Sequence, residues 1–426
     1  MPKIAISSPK GMKDILPEKE ASWKKIYQSV EKIAKDYDFG FIETPILEKK
    51  ELFLRSVGEV SEVVSKQMYS LSTKGKEKLV LRPEGTAPIC RAYLEHGMSS
   101  WIQPVKLYYF GPFFRYERPQ RAREREFHQF GFEVLGAKNP FYDALIILVF
   151  SEILKLLKIK DFIVKINSIG CRKCRAKFVR ALKKYYRPFL KDLCSDCQRR
   201  FELNPLRILD CKEEKCSWYK KGVPIILDYL CRDCKNHFKA VLEFLDSLSL
   251  PYLLDHTLVR GLDYYSGTVF EIFLKEEKEK EFAKLSLGGG GRYDELIKFL
   301  GGKEVPAVGF GAGVERIIEA MEIEGIEIEK TPRDVFLVAL GEEAKRKILV
   351  IWRELRKAGF KASEAVEKES ISAQLKVASK LNIKFALILG QREVVEETIL
   401  IKDLESGIQE EVPQKNLIKE LKKRIK

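Results

Sequence analysis

The sequence predicts an α+β chain: a mainly antiparallel sheet with flanking helices, a helical cysteine-rich insertion domain, and a separate C-terminal α/β domain. Three observations carry this. Val105–Arg115 and Glu126–Leu135 read as β-strands, the first aromatic and aliphatic, the second alternating with a period of two. Eight of the nine cysteines fall in a largely helical stretch between Cys171 and Cys234. Beyond Asp334 the pattern changes to strands alternating with helices over about 95 residues, the size of a small separate domain.

The chain has 426 residues, more than one ordinary core organises, so two or three domains are expected. Its hydrophobic content of 45% is that of a globular protein. No apolar run approaches the roughly 20 residues of a membrane span, and MPKIAISSPKGMKDILPE lacks the apolar core of a signal peptide. A cytoplasmic enzyme with no membrane partner is the expectation. The net charge of +15, not confined to a tail, favours polyanionic partners. Abundant Lys, Glu, Arg and Ile with only four His is a composition seen in heat-adapted proteins.

Taken in order, residues 18–39 read as an amphipathic helix, with Trp23, Ile26, Tyr27, Val30, Ile33 and Ala34 at helical spacing and Gly40 as its end. Phe41–Pro45 reads as a short strand closed by proline. Strands dominate from Leu79 to Glu133 apart from a helix near 86–97, and residues 140–158 read as a helix. A strand at 161–170 leads into the cysteine-rich region, which runs to about 250. Strand character returns at 252–274, and a charged turn at 275–280 precedes a strand that enters Gly288–Gly291. Residues 304–322 repeat strand, glycine turn and helix. A charged stretch from Glu324 to Asp334 with a Thr-Pro break reads as a linker. Beyond it the pattern gives strands at 334–340, 385–390 and 398–404 and helices at 342–359, 370–381 and 414–424. The domain boundaries that follow are 1–160, 161–250, 251–325 and 331–426.

Between the two long strands lies FRYERPQRAREREFHQFGFEVLG, which places Arg115, Arg118, Arg121, Arg123 and Arg125 within eleven residues. Arginine forks match phosphate oxygens bidentately and stay charged, so the loop suits a polyphosphate, with Gln129 and Glu133 beside it for a small polar substrate. The alternative is an exposed hairpin neutralised by Glu117, Glu124 and Glu126. LRPEGT presents Glu84 and Thr86 at a turn, fit to hold an ammonium group; the plainer reading makes Thr86 the N-cap of the next helix. In LVRGLDYYSGTVFEI, Arg260 would offset charge developing on a phosphate, while Tyr264 and Tyr265 either hydrogen-bond a polar ligand or simply pack. Gly288–Gly291, before Arg292-Tyr293-Asp294, allow close approach of backbone to a ligand or form a flexible hairpin. VGFGAGVER sets a glycine turn before a helix starting near Val314, with Arg316 in its first turn as an anion partner. Its Gly309-x-Gly311-x-Gly313 spacing is not the dinucleotide fingerprint, and no phosphate-binding P-loop motif is present.

The cysteines form four pairs: Cys171/Cys174, Cys194/Cys197, Cys211/Cys216 and Cys231/Cys234. This spacing suits one or two structural zinc sites of four thiolates each, without saying which pairs share an ion. Disulfides or free buried thiols are the alternatives. Cys90 reads as a packed helix residue.

Together the segments resemble the class II aminoacyl-tRNA synthetases. Residues 18–45 are similar to motif 1, the dimer-forming element; FRYERPQRAREREFHQFGFEVLG resembles motif 2, and VGFGAGVER resembles motif 3. LRPEGT, LVRGLDYY and GGGGRYDEL narrow the resemblance to the histidyl-tRNA synthetase family, over nearly the whole chain. The resemblance implies a class II antiparallel catalytic sheet, an anticodon-binding C-terminal domain and a homodimer. It also implies activation of L-histidine with ATP and Mg²⁺, then transfer to the 3′ end of tRNA(His). Arg115 would bind the α-phosphate and substrate carboxylate, Arg123 would also contact ATP, Phe127 would stack on adenine, and Arg316 would clamp the γ-phosphate. Glu84, Thr86, Gln129 and Glu133 would hold the amino group, and Tyr264, Tyr265 and Tyr293 would line the imidazole pocket. Arg260 would stabilise the pentavalent α-phosphate, and Arg118 and Gln120 would approach the acceptor end of the tRNA. PKGMKDILP departs from the family's usual Arg-Gly-Thr, with Lys10 and Met12 at those positions. The rival readings are the non-catalytic regulatory subunit of ATP phosphoribosyltransferase, which shares the catalytic fold, and a tRNA-binding regulatory protein. The complete RGLDYY segment and the C-terminal domain argue against the first, and the joint presence of Glu84, Gln129, Glu133, Tyr264 and Tyr265 against the second.

Overall fold

The computed structural model describes residues 6–58, 63–275, 286–328 and 333–425. The predicted charged turn from 276 onward and the Thr-Pro break at 331–332 lie outside these residues. The chain divides into two compact units, Met1–Ile328 and Glu329–Lys426. Among the described residues no helix is long and apolar enough to cross a membrane.

The first unit carries eleven strands among its described residues: β1 (Gly40–Phe41), β2 (Leu47–Lys49), β3 (Ser70–Ser72), β4 (Lys78–Leu81), β5 (Val105–Phe114), β6 (Glu126–Leu135), β7 (Phe162–Ser168), β8 (Tyr252–Leu254), β9 (Ser266–Leu274), β10 (Ser286–Arg292) and β11 (Ala307–Gly313). Eight of them form one sheet in the order β1-β5-β6-β11-β10-β9-β7-β8, and β2-β4-β3 form a small antiparallel sheet. The large sheet is antiparallel from β5 to β7, with parallel partners only at its edges, β1 on β5 and β8 on β7.

Register sorts the side chains by face. Tyr108 pairs with Phe132, Phe132 with Phe310, and Phe310 with Gly290, which pairs with Phe270; all of these lie on one side. There Phe132, Phe310 and Phe150 stack in succession, with ring centres 5.4 and 4.6 Å apart. Helices Glu20–Asp36, Phe141–Leu156, Val314–Ile323 and Arg232–Ser247 cover this face with Ile26, Ile147, Ile317 and Val241. Each fully buried apolar side chain of this size contributes about 1.5–3 kcal/mol.

The opposite face is set by the other alternation: Tyr109 pairs with Gly131, Gly131 with Gly311, and Gly311 with Gly289. Gly288–Gly291, which the sequence left open to a flexible hairpin, and Gly309–Gly313, expected to be a turn, therefore lie within strands. Glycine is a weak strand former alone, but β10 and β11 each have a hydrogen-bonded strand on both sides, which the local sequence does not display.

Two further expectations change. The first helix ends at Asp36, and Asp38, with φ +59°, makes the left-handed turn, leaving Gly40 to begin β1. Thr86 is not an N-cap: Gly85 occupies that position and the Glu84 carboxylate accepts from the first amides of the helix Thr86–Glu95.

The second unit is a five-stranded sheet, β13-β12-β14-β15-β16, of β12 (Val335–Ala339), β13 (Ala362–Glu364), β14 (Phe385–Leu389), β15 (Thr398–Asp403) and β16 (Gln409–Pro413). Helices Glu342–Lys357 and Leu417–Arg424 bury Ile348, Leu355 and Leu421 on one face, and Ile371–Lys380 packs Ala378 on the other. The short strands β13 and β16 and the helix Gln391–Val395 carry too little periodicity to be read from sequence.

Phe310 is 1% exposed at the centre of the aromatic stack. Phe310→Ala is expected to lower the stability of the first unit by about 3–5 kcal/mol, read as an earlier urea transition. Phe299→Ala, at a residue 43% exposed, should cost less than about 1 kcal/mol.

Candidate active site

The glycine-bearing face of the large sheet forms a floor on which two carboxylates are buried. Glu133 projects from β6 beside Gly309 of β11, and a Cβ at Gly309 would sit 1.6 Å from Glu133 Oε2. The Thr86 hydroxyl donates to Glu133 Oε1 at 2.7 Å and the Tyr293 hydroxyl to Oε2 at 2.5 Å. Burial pushes the Glu133 carboxyl up to about 8, against the pull of these two hydrogen bonds. Glu84 stands opposite, accepting from the amides of Thr86 (2.7 Å) and Ala87 (2.9 Å) and from the Tyr264 hydroxyl (3.3 Å). Its pKa is also raised, chiefly by burial, while the two amides oppose the shift. Placing both acids here follows from the strand–turn–helix geometry of LRPEGT and from the period-two alternation of β6.

The aromatic residues close the cluster. Tyr264 meets Tyr265 and Tyr293 with ring centres 4.7 and 5.9 Å apart, and all three are buried. Tyr264 and Tyr265 lie in the loop before β9 rather than in a strand. On β6, next to Glu133 on the same face, Gln129 presents a buried Oε1 with no hydrogen-bond partner among the described residues. A buried acceptor left open beside two carboxylates is a place for a donor to arrive.

A second, cationic group adjoins the acids. Arg115 donates to Pro83 O at 2.9 Å and lies 5.3 Å over the Phe127 ring. Arg123 is paired with Glu117, and Arg316 donates to Ser286 O at 2.6 Å. Burial, then the like charges of Arg123 and Arg115, lower the Arg316 guanidinium to about 10. Three guanidinium groups that disfavour one another in this way are chemically suited to a polyanion. Arg260 pairs with Glu271 and donates to Gly289 O at 3.0 Å, while its buried Nε has no hydrogen-bond partner among the described residues. Burial opposes its charge, but Glu271, Tyr265 and Tyr264 together more than offset this and hold its pKa above the usual value.

The structure thus brings together Glu84, Thr86, Gln129, Glu133, Tyr264, Tyr265 and Tyr293, and groups Arg115, Arg123, Phe127 and Arg316 nearby. Arg118 and Gln120 are exposed at the tip of the loop, where Gln120 and Arg123 exchange backbone hydrogen bonds, apart from the carboxylates. Tyr109 was missed by sequence reasoning: a Cβ at Gly85 or Gly131 would lie 2.5 Å from its ring, and Glu133 and Glu84 add to the burial that raises its pKa. Its odd-numbered register with Glu133 was a usable signal. Glu271, the partner of Arg260, carried none beyond its place in a strand. His128 faces away, held by Glu315 at 3.0 Å and edge-on to Trp23. Cys90 is buried in its helix, and His237 turns to Asp143 (3.3 Å) rather than to the cysteines.

The family described as Histidyl-tRNA synthetase matches residues 11–183 and 223–317, and that described as Anticodon binding domain matches 334–424. The chain is 43% identical over 417 residues to a histidine–tRNA ligase of Natranaerobius thermophilus, covering 97% of this chain and 98% of that one. It is 45% identical over 419 residues to one of Dehalococcoides mccartyi, covering 98% and 99%. The crystal structure of apo histidyl-tRNA synthetase from S. aureus superposes with a TM-score of 0.81 at 36% identity, covering 98% of this chain and all of that one. A structure described as an ATP phosphoribosyltransferase regulatory subunit/histidyl-tRNA synthetase from Bacillus halodurans shares the fold at 24% identity, with a TM-score of 0.65 over 92% of this chain and all of that one. With buried acids, tyrosines and arginines disposed on a class II sheet and relatives aligned end to end, this chain belongs to the histidyl-tRNA synthetase family.

Proposed function

We propose that this chain is a histidine–tRNA ligase whose amino-acid pocket is built on Glu84 and Glu133 and whose ATP site is the arginine group beside them. The observation that carries the reading is the buried carboxylate pair, capped by hydroxyls, next to the open Gln129 Oε1. Two buried acids and an unpaired amide oxygen fit an ammonium ion; a protein that only binds tRNA needs neither. Thr86 and Tyr293 hold the Glu133 oxygens in place, so the ammonium meets fixed acceptors. Tyr264, Tyr265 and Tyr293 supply polar edges in an otherwise apolar pocket, suited to an imidazole, and Tyr109 forms the floor beneath them.

Magnesium-bound ATP enters as substrate, with Phe127 under the adenine, Arg115 and Arg123 on the phosphates and Arg316 on the γ-phosphate. The histidine carboxylate attacks the α-phosphorus and pyrophosphate leaves. Arg260 stabilises the added charge on the pentavalent phosphorus, a role that relies on Glu271 and Gly289 O holding its guanidinium in one orientation. The terminal ribose hydroxyl of tRNA(His) then attacks the histidyl carbonyl and AMP departs. Arg118 and Gln120, exposed at the loop tip, meet the acceptor end, and the second unit reads the anticodon. The chain works in the cytoplasm as a homodimer formed through the Glu20–Asp36 helix and β1, the edge strand beside β5.

ATP–pyrophosphate exchange without tRNA tests the function: exchange is expected with histidine and with none of the other standard amino acids. No exchange from folded protein with Mg²⁺ would move the assignment to the regulatory paralogue. Arg260→Ala should slow single-turnover adenylate formation by roughly a hundredfold or more; near-normal rates would remove its assigned role. Because burial holds Glu133 near 8, its carboxyl is mostly protonated at pH 7 in the free enzyme. Binding of the histidine ammonium favours the anion and expels that proton. Calorimetry in buffers of different ionisation enthalpy should show proton release at pH 7 that Glu133→Gln lacks; equal release from both proteins would contradict the assignment.

A further inference from the structure

Folding sorts the eight paired cysteines into two groups of four. Cys171 and Cys174 meet Cys231 and Cys234, and Cys194 and Cys197 meet Cys211 and Cys216; within each group all four sulfurs lie within 4.8 Å of one another. The pairing is nested, outer with outer and inner with inner. All are free thiols, with Cys171 Sγ 3.6 Å from Cys174 Sγ and Cys194 Sγ 3.8 Å from Cys211 Sγ. A Zn–S bond of about 2.3 Å makes the edge of a four-thiolate tetrahedron about 3.8 Å, whereas a disulfide draws its sulfurs to about 2.05 Å. The observed spacing is that of a single-ion cage. A four-iron cluster, binding each thiolate to a different iron, would spread the sulfurs further apart. Backbone amides already point at the sulfurs: Cys231 N at Cys174 Sγ (3.1 Å), Cys194 N at Cys216 Sγ (3.3 Å) and Cys197 N at Cys194 Sγ (3.4 Å). Such donors stabilise thiolate charge and orient metal ligands.

The two groups close different parts of the insertion, though Arg175, next to Cys174 of the outer group, also donates to Tyr265 O at 3.0 Å. The outer one closes the base of the insertion: Gly170, just before Cys171, accepts from Gly267 N at 3.1 Å, and Ile169 N donates to Gly267 O at 2.8 Å. The inner one closes the segment between Cys197 and Cys211, and that segment reaches the active site. Asn204 Nδ2 donates to Asp263 Oδ1 at 2.8 Å, and Arg207 Nη1 donates to Arg260 O at 2.9 Å. Both acceptors belong to the Arg260–Tyr265 segment. The segment between the two inner pairs consists of the helix Ser195–Leu203 and the single turn Pro205–Ile208, with no strand to anchor it.

We propose that each group binds one Zn²⁺ through four thiolates, and that the inner ion positions the Arg260–Tyr265 segment through Asn204 and Arg207. The second half rests on the assignment of Arg260 to histidine activation; the first does not. Arg207 and Asn204 are positioning residues: they act on the backbone and side chain of the segment, not on substrate.

Elemental analysis of the full chain purified without chelator should give two zinc per chain, and a mercurial reagent titrating the thiols should release both. Cys211→Ser should keep one zinc and lose the other. Arg207→Met should keep both zincs yet lower kcat for histidine-dependent exchange by about ten- to hundredfold, with KM for ATP little changed, and Arg207→Lys should restore most of the rate by donating to the same carbonyl. Chains without zinc, whether their thiols are free or oxidised to disulfides, or with iron in its place, would overturn the metal assignment. Two zincs with normal exchange in Arg207→Met would overturn the positioning role. A wild-type chain that holds two zincs but never exchanges would remove the histidine-activation reading and the positioning half with it, and leave the zinc assignment standing.

Discussion

The catalytic unit depends on keeping two carboxylates out of water with no ion pair to either among the described residues. Glu133 fills the space that a side chain on Gly309 would take, and Glu84 is used up at a helix start by the amides of Thr86 and Ala87. Hydroxyls from Thr86, Tyr264 and Tyr293 complete both acids. Burying such groups is costly unless they are hydrogen-bonded, and the raised Glu133 pKa records what remains of that cost. In the proposed function, an incoming ammonium would complete the set.

That arrangement explains the division of the large sheet. Room for the acids exists because Gly131, Gly289, Gly309 and Gly311 lie on the same face. Strands so poor in side chains contribute little packing of their own there, and the opposite face compensates with the Phe132–Phe310–Phe150 stack under four helices. Rigidity comes from one side of the sheet and space from the other. A sheet packed equally on both faces would have no pocket.

The cations follow the same logic at longer range. Arg115, Arg123 and Arg316 hold their charge near one another at a cost visible in the lowered Arg316 pKa, and Glu117 and Glu271 limit that repulsion without neutralising it. Arg260 is tied through its side chain to Glu271 and Gly289 and through its carbonyl to Arg207. The cysteine-rich insertion therefore touches this segment through both its backbone and the Asp263 side chain.

Much of this was legible in the chain. Aromatic and aliphatic content marked β5, period-two alternation marked β6 and put Gln129 and Glu133 on one face, helical spacing marked the first covering helix, and the density of arginines between the strands marked a cationic loop. These are local properties, set by bond geometry within a few residues, so sequence alone determined them. It did not determine that Gly288–Gly291 and Gly309–Gly313 are strands, because their backbone hydrogen bonds are supplied by β9 and β6 rather than by neighbours in the chain. Nor did it determine that Thr86 turns to Glu133 instead of capping its helix, that the Tyr109 ring packs against Gly85 and Gly131, or that Cys171 and Cys174 meet Cys231 and Cys234. Each of these joins residues distant in sequence, and only the packed tertiary structure, where burial forces every polar group to find a partner, decides which ones meet.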